Sequence, residues 1–387
     1  MPIKIRYEMF DINEAIHISS GLPRTSILPV QELYKKMARS VGGEKYPGLL
    51  QYGYTSGYPK FRESLAKFLE RQRGKPVDPD RLFITNGATQ GVILSILALS
   101  KGPASIIVEQ PTYFPFLDLF RELNLKTHFV DIDKNGINVD LVSSCIRNLH
   151  GSVFVYTIPF FQNPTGNCSD DNQKRTLINL VEESKSILLS DEVYELLYFD
   201  NTYRNSLHLI KPSDRIISLG SFSKILGPGL RLGWLEANSS VLGKVNESGW
   251  VQSSGGMNPL VCKMVQELLD SREVDKILHQ WRLYLKQRCL GLSSMLTDLF
   301  PEAIYTVPNG GYFIWTNFKN NILSDSVFRE YLRREKKIIY VPGRKCAPFA
   351  KKYWGYIRLG YACYPDYIMK KGLGRLKEGL EQFKDRG

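Results

Sequence analysis

From about residue 80 onward, short and almost unbroken apolar runs alternate with stretches whose apolar residues recur every three or four positions. "RLFITNG", "SIIVEQP", "KTHFVDID", "SVFVYTIP", "SILLSDEVY" and "RIISLGSFS" read as strands. "TQGVILSILALSK", "TYFPFLDLFREL" and "DDNQKRTLINLVEESK" read as helices. Gly87, Pro111 and Pro159 close three of the strands, and Ser169 is placed to cap the third helix. Apolar runs without polar alternation mark strands buried on both faces, as in a mostly parallel sheet covered by helices. Ligands bind such sheets beyond the carboxyl ends of the strands. After about residue 255 the pattern changes. "KMVQELLDSREVDKILHQWRLYLKQRCLGLSSMLTDL" reads as one long helical region without internal proline. A strand-like "YTVPNGGYFIWTNF", a helix near "SDSVFREYLRREK", short strands in "KIIYVPG" and "YIRLGYACY", and a terminal helix follow. The expectation is an α/β protein with a large domain over residues 46–290. A smaller α+β domain takes residues 291–387, with the N-terminal segment 1–45 beside it.

Composition changes this picture little. The chain has 387 residues, 43% hydrophobic and 23% charged, which permits a sizeable core. The net charge of +12 invites a nucleic-acid reading, but the basic residues are scattered and no RNP, zinc-finger or basic-zipper pattern is present. A solvated basic surface, partly serving anionic ligands, accounts for the charge. The six cysteines form no C-x-x-C pair and the five histidines lie far apart, so no metal site is expected. No apolar run is long enough to cross a bilayer, and "MPIKIRYEMFDINEA" carries acids where a signal peptide would be apolar. A reduced, cytoplasmic protein is the resulting expectation, without membrane or nucleic-acid partners.

The chemistry gathers where strands end. In order the ends offer Gly87-Ala88-Thr89, Pro111-Thr112-Tyr113, Asn163-Pro164-Thr165-Gly166, Asp191-Glu192-Val193-Tyr194 and Ser221-Phe222-Ser223-Lys224. Hydroxyl, aromatic, amide, acid and amine groups on one rim suit an aromatic, phosphorylated, carbonyl-bearing cofactor. A dinucleotide reading of "GPGLRLG" fails, because its spacing is not G-x-G-x-x-G and no βαβ unit begins there.

Seven segments run in order from about residue 49 to residue 362: "LQYGYTSGYPKFRESLAKFL", "ITNGATQGV", "EQPTYFPF", "FFQNPTG", "SDEVYELLYF", "GSFSKILGPGLRLGW" and "YIRLGYA". In this order and spacing they resemble the fold-type-I pyridoxal-phosphate enzymes of the class I/II aminotransferase family. The closest pattern is its aminoadipate/kynurenine and aromatic branch. The resemblance implies the aspartate-aminotransferase-like fold and pyridoxal 5′-phosphate as cofactor. It assigns Lys224 to the Schiff base, Arg231 with Ser221 and Ser223 to the phosphate, and Asp191 to the pyridine nitrogen. Tyr194 and Asn163 match the donors to the ring 3-oxygen, and Tyr113 matches the aromatic that stacks on the ring. Gly87, Ala88 and Thr89 match the phosphate loop. Relatives often carry Ser-Gln where this chain has Ala88-Thr89, so one hydroxyl is lost and Ala88 can serve only through its backbone. Arg358 matches the arginine that binds the substrate α-carboxylate, with Asn163 beside it. Gly21 matches an N-terminal segment that covers the substrate. Tyr52 matches a tyrosine reaching the phosphate of a neighbouring subunit, which implies a homodimer with shared active sites.

The implied reaction is ping-pong transfer of an amino group from an L-amino acid to a 2-oxo acid. Lys224 first binds the cofactor and then moves the Cα proton. Another PLP reaction at the same site, such as elimination, decarboxylation, racemisation or cyclisation, is the alternative, because a fold does not choose a reaction. A regulatory PLP-binding module would be expected to carry a DNA-binding domain, for which the length leaves no room. The substrate side chain is not legible in the sequence.

Overall fold

The computed structural model describes residues 15–35, 47–200, 206–254 and 256–384. Thirteen strands are described: β1 (Ile16–His17), β2 (Leu82–Thr85), β3 (Ala104–Gln110), β4 (Lys126–Asp133), β5 (Gly136–Ile137), β6 (Ser152–Thr157), β7 (Ile187–Asp191), β8 (Ile216–Ser221), β9 (Gly233–Glu236), β10 (Phe313–Asn317), β11 (Ile338–Ile339), β12 (Val341–Pro342) and β13 (Tyr356–Gly360). Eight form one sheet in the order β2-β9-β8-β7-β6-β3-β4-β5. The run from β8 to β4 is parallel throughout, as the apolar runs predict. β9 is reversed and pairs antiparallel with both β8 and β2, and β5 folds back on β4. The carboxyl ends of β2, β3, β6, β7 and β8 therefore share one edge.

The central strands are the most apolar because both faces are covered. Every residue of β7 and β8 is buried, whereas β4, beside the edge strand β5, is mostly half-exposed. Helices Ala88–Leu99, Phe114–Glu122 and Asp171–Glu183 occupy the predicted segments. The cap of the last is Asp170, not Ser169: Asp170 accepts from the Gln173 backbone N–H at 2.7 Å, while the buried Ser169 donates its own N–H to the Pro159 carbonyl at 2.8 Å.

The long C-terminal helical region is two helices, Pro259–Asp270 and Glu273–Leu299. Arg272 breaks them by adopting a left-handed φ of 58°. This break places Asp275 in the first turn of the second helix, where it accepts from Arg71 Nε (3.0 Å), Arg71 Nη2 (2.8 Å) and Gln72 Nε2 (2.9 Å). An acid at a helix start is favourable, and these three donors give the break its tertiary partner. The second helix runs uninterrupted through residue 290.

A three-stranded sheet, β10-β13-β12, is antiparallel throughout. β1 pairs in parallel with β11, so the described N-terminal residues lie against the C-terminal part of the chain. Arg73, at the end of helix Pro59–Arg73, reaches Glu195 (Nη2, 2.8 Å) and Glu236 on β9 (Nη1, 2.6 Å). All three side chains are buried.

Candidate active site

Lys224 is delivered by a short anchored turn. β8 ends at Ser221, whose hydroxyl accepts from the Ser223 backbone N–H at 3.1 Å and opens the turn Phe222–Lys224. Phe222 is fully buried against Phe61, Phe68 and Trp234. The Lys224 carbonyl accepts from Trp281 Nε1 (3.0 Å) and from the Tyr312 hydroxyl (2.8 Å). Its amine donates to the Gly21 carbonyl at 2.7 Å and lies 5.8 Å and 5.4 Å from the ring centroids of Tyr194 and Tyr312. Burial pushes the Lys224 pKa down to about 8; Arg358 adds to the fall and Asp191 opposes it. A lysine so tuned is partly neutral near physiological pH and can act as a nucleophile or a base.

Asp191 closes β7 and is buried. Its Oδ2 accepts from the Tyr156 hydroxyl at 2.7 Å, and its Oδ1 takes a longer bond of 3.4 Å from the Val193 N–H. Burial raises its pKa to about 6, against the hydrogen bonds from Tyr156 and Val193 and the charge of Lys224. Beside it a chain of donors crosses the site. Arg358 Nη1 donates to Asn163 Oδ1 at 2.8 Å, and Asn163 Nδ2 points at the Tyr194 hydroxyl at 3.5 Å. Tyr113, at the start of helix Phe114–Glu122, meets Phe116 edge-on at 5.1 Å.

An anion cradle lies at the end of β2. Helix Ala88–Leu99 starts with its first amides unpaired and no acid in its first turn. Ala88 is buried there and Thr89 is exposed beside it. Arg231 turns toward this helix end through a left-handed φ of 47° and donates from Nη2 to the Asn86 carbonyl at 3.0 Å. Gly87 has φ +80°, and a Cβ placed on it would stand 2.8 Å from Arg231 Nη2. Only glycine allows this approach. A guanidinium against helix amides matches a phosphate, and Ser223, half-exposed in the Lys224 turn, is a further hydroxyl on this edge. The donor set fits pyridoxal phosphate: a cation with amides for the phosphate, an amine for the aldehyde, and a buried carboxylate for the ring nitrogen.

Arg358 sits on β13 between Trp315 and Val341 and is buried. Its guanidinium lies 4.1 Å from the Phe313 ring and donates from Nη2 to the Ser19 carbonyl at 3.0 Å. Its buried Nε has no hydrogen-bond partner among the described residues, a donor suited to a ligand carboxylate. Gly21 packs onto Phe313 closely enough that a Cβ would stand 2.9 Å from the ring. Thus the structure brings together Lys224, Asp191, Tyr194, Asn163, Arg358 and Gly21, and in a second group Gly87, Ala88, Thr89 and Arg231. Tyr52 is 83% exposed.

Sequence reasoning missed Tyr156, Trp281, Tyr312 and Ser19. Tyr156 carried a signal: a tyrosine inside a strand buried on both faces needs a partner for its hydroxyl. The other three carried none.

The comparisons with known proteins follow this geometry. Residues 14–376 match the family described as aminotransferase class I and II. The chain is 26% identical over 384 residues to aromatic-amino-acid aminotransferase 1 of Thermococcus litoralis, covering 97% of this chain and 90% of that protein. It is 29% identical over 337 residues to the HTH-type transcriptional regulator NorG of Staphylococcus aureus, covering 85% of this chain and 74% of the regulator. Among solved structures, Pyrococcus horikoshii kynurenine aminotransferase in complex with PMP superposes with a TM-score of 0.84 at 26% identity, over 95% of this chain and 91% of that one. Among the described residues no helix is long and apolar enough to cross a membrane.

Proposed function

The chain belongs to the aminotransferases of class I and II, and we propose that its active site is the cluster at the carboxyl edge of the large sheet, with Lys224 as the amine that holds the cofactor. The protein is an aminotransferase that takes the amino group of an amino acid to a 2-oxo acid, with pyridoxal 5′-phosphate as cofactor. When bound, the cofactor supplies the aldehyde that accepts the amino group and the ring that spreads the charge left at Cα. The observation that carries the site assignment is the Lys224 amine, lowered to about 8, within one cluster with Asp191 and Arg358.

Each remaining residue then has a definite task. Arg231 and the amides following Gly87 grip the phosphate. Ser221 and Ser223 add hydroxyl donors, and Tyr113 packs on the ring. Asp191 pairs with the ring nitrogen, and Asn163 with Tyr194 donates to the ring oxygen. Arg358 holds the substrate carboxylate through its two-pronged guanidinium. Lys224, no longer engaged, carries the proton from Cα. Asn163 and Arg358 come from the two proposed domains, 46–290 and 291–387 with 1–45, so the carboxylate is gripped between them. The exposure of Tyr52 supports a homodimer in which this hydroxyl serves the phosphate of a second copy. The six unpaired cysteines suit a cytoplasmic setting.

The test is a half-reaction. Amino acid alone should convert the cofactor stoichiometrically to pyridoxamine phosphate, and a 2-oxo acid such as 2-oxoglutarate should reverse the change. Sustained turnover without an acceptor would replace transamination by another PLP reaction. The similarity to NorG favours a second reading, a regulatory module that retains cofactor without converting it; no cofactor conversion with any of a broad amino-acid panel would select that reading.

A further inference from the structure

We propose that Tyr156 is a positioning residue of the reaction, whose hydroxyl holds Asp191 as an ionised carboxylate aimed at the cofactor's ring nitrogen and so keeps the shared proton on the ring. The proposal rests on the functional reading above.

Tyr156 lies on β6, between β3 and β7, and is completely buried. Phe116 and Phe120 hold its ring, with centroids 5.3 Å and 5.6 Å away. Packed in this way, its hydroxyl meets Asp191 at 2.7 Å. The second carboxylate oxygen receives only the 3.4 Å bond from Val193. The tyrosine thus supplies the shortest hydrogen bond to this carboxylate from the protein. Burial and the neighbouring Asp191 charge push the Tyr156 pKa well above its ordinary value, so the hydroxyl remains a donor at any working pH.

The other charged groups around Asp191 divide by sign. Lys224 favours its ionised form, while Glu192 works against it. Glu109 on β3 adds to the repulsion, and burial raises its own pKa to about 7. Glu109 is committed elsewhere: Thr157, the Ile158 N–H (3.2 Å) and Gln162 (3.1 Å) all donate to it. A buried carboxylate facing a pyridine nitrogen can either accept from a protonated ring or keep the proton itself. A donor on the carboxylate stabilises its anion and moves the proton to the ring. A protonated ring is the stronger electron sink, so the hydroxyl acts on the reaction without touching cofactor or substrate.

The experiment uses holoenzyme with ring-15N-labelled pyridoxal phosphate. Tyr156→Phe removes only the hydroxyl. The expected result is a ring-nitrogen signal shifted toward the unprotonated position, and a pH titration of the coloured lysine–cofactor linkage raised by about one unit. kcat should fall about tenfold or more, with KM for the amino acid little changed. Fluorotyrosine at position 156, a stronger donor of nearly equal size, should move the titration in the opposite direction and serves where the phenylalanine variant does not fold. In an Asp191→Asn background, Tyr156→Phe should no longer move the ring-nitrogen signal. A folded, coloured Tyr156→Phe enzyme with an unmoved ring signal and titration overturns the role of Tyr156, even if kcat falls. A wild-type protein that forms no coloured linkage overturns the functional reading and this proposal with it.

Discussion

Arg358 and Asn163 meet at 2.8 Å, the guanidinium Nη1 donating to the amide oxygen. One stands on β13 of the three-stranded sheet and the other follows β6 of the large sheet. The contact fixes which way the amide faces: its oxygen is taken by the arginine, so its NH2 is turned toward Tyr194. A carboxylate bound to Arg358 would therefore be registered against Asn163 and Tyr194. If Arg358 binds the substrate carboxylate, replacing it by alanine removes a charge-assisted, two-pronged grip and leaves the Asn163 Oδ1 without its donor. The expected loss is about 3 kcal/mol of transition-state binding, roughly a hundredfold in kcat/KM. Steady-state kinetics over a panel of amino acids checks it; unchanged values with every substrate would remove Arg358 from carboxylate binding.

Lys224→Met should abolish turnover, and borohydride should no longer fix cofactor to the chain. The mapped adduct in the wild type identifies the residue; a reduced adduct on any other lysine refutes the assignment. The same variant has a pH signature. The folded pKa of Lys224, about 8, lies below its ordinary 10.5, so its charge costs stability below about pH 8. That cost is relieved as pH rises from 8 to 10.5. In thermal unfolding without cofactor, Lys224→Met should gain roughly 3 kcal/mol at neutral pH relative to its difference from wild type at the alkaline end. A pH-independent difference would show that the amine is not desolvated.

Gly87→Ala tests the anion cradle. The new methyl group would meet Arg231 Nη2 at 2.8 Å and force a side chain into φ +80°. Strain of about 1–3 kcal/mol is expected, with cofactor affinity reduced about tenfold or more. Absorbance titration with pyridoxal phosphate measures it. Unaltered affinity would mean that Arg231 does not close on the phosphate.

Much of this site was legible because parallel sheets place chemistry at strand ends, and the apolar runs marked where each strand stops. That rule placed Lys224, Asp191 and Asn163 on one rim, and the family resemblance, not the rule, supplied their proposed roles. The rest depends on contacts distant in sequence. Tyr156 meets Asp191 across 35 positions, and Trp281 and Tyr312 reach the Lys224 carbonyl across 57 and 88. No local pattern encodes such pairs. The helix break at Arg272 was hidden because its residue is neither glycine nor proline; the ion pair of Asp275 with Arg71 sustains it. Asp170 and Ser169 are both good caps, and only the backbone path chose between them.

Arg73→Met should destabilise the protein by about 3–5 kcal/mol, since Glu195 and Glu236 would remain buried without their counter-charge. Chemical denaturation measures it. A loss below about 1 kcal/mol would show that these carboxylates settle readily as neutral acids.

The segment around Gly21 has a thermodynamic consequence for everything that enters the site. Its carbonyls accept from two of the candidate site's cations, Ser19 from Arg358 and Gly21 from Lys224. A carboxylate or aldehyde that took the Nη2 of Arg358 or the Lys224 amine would therefore exchange acceptors there, while the Arg358 Nε would offer a new donor. Its apparent affinity is a difference between two bound states of the same arginine or lysine. A weak neutral acceptor would gain little over the backbone carbonyl it displaces, whereas an acceptor carrying full negative charge, or one that forms a covalent bond, would win the exchange. The main chain sets the threshold of selectivity before any side-chain pocket is consulted.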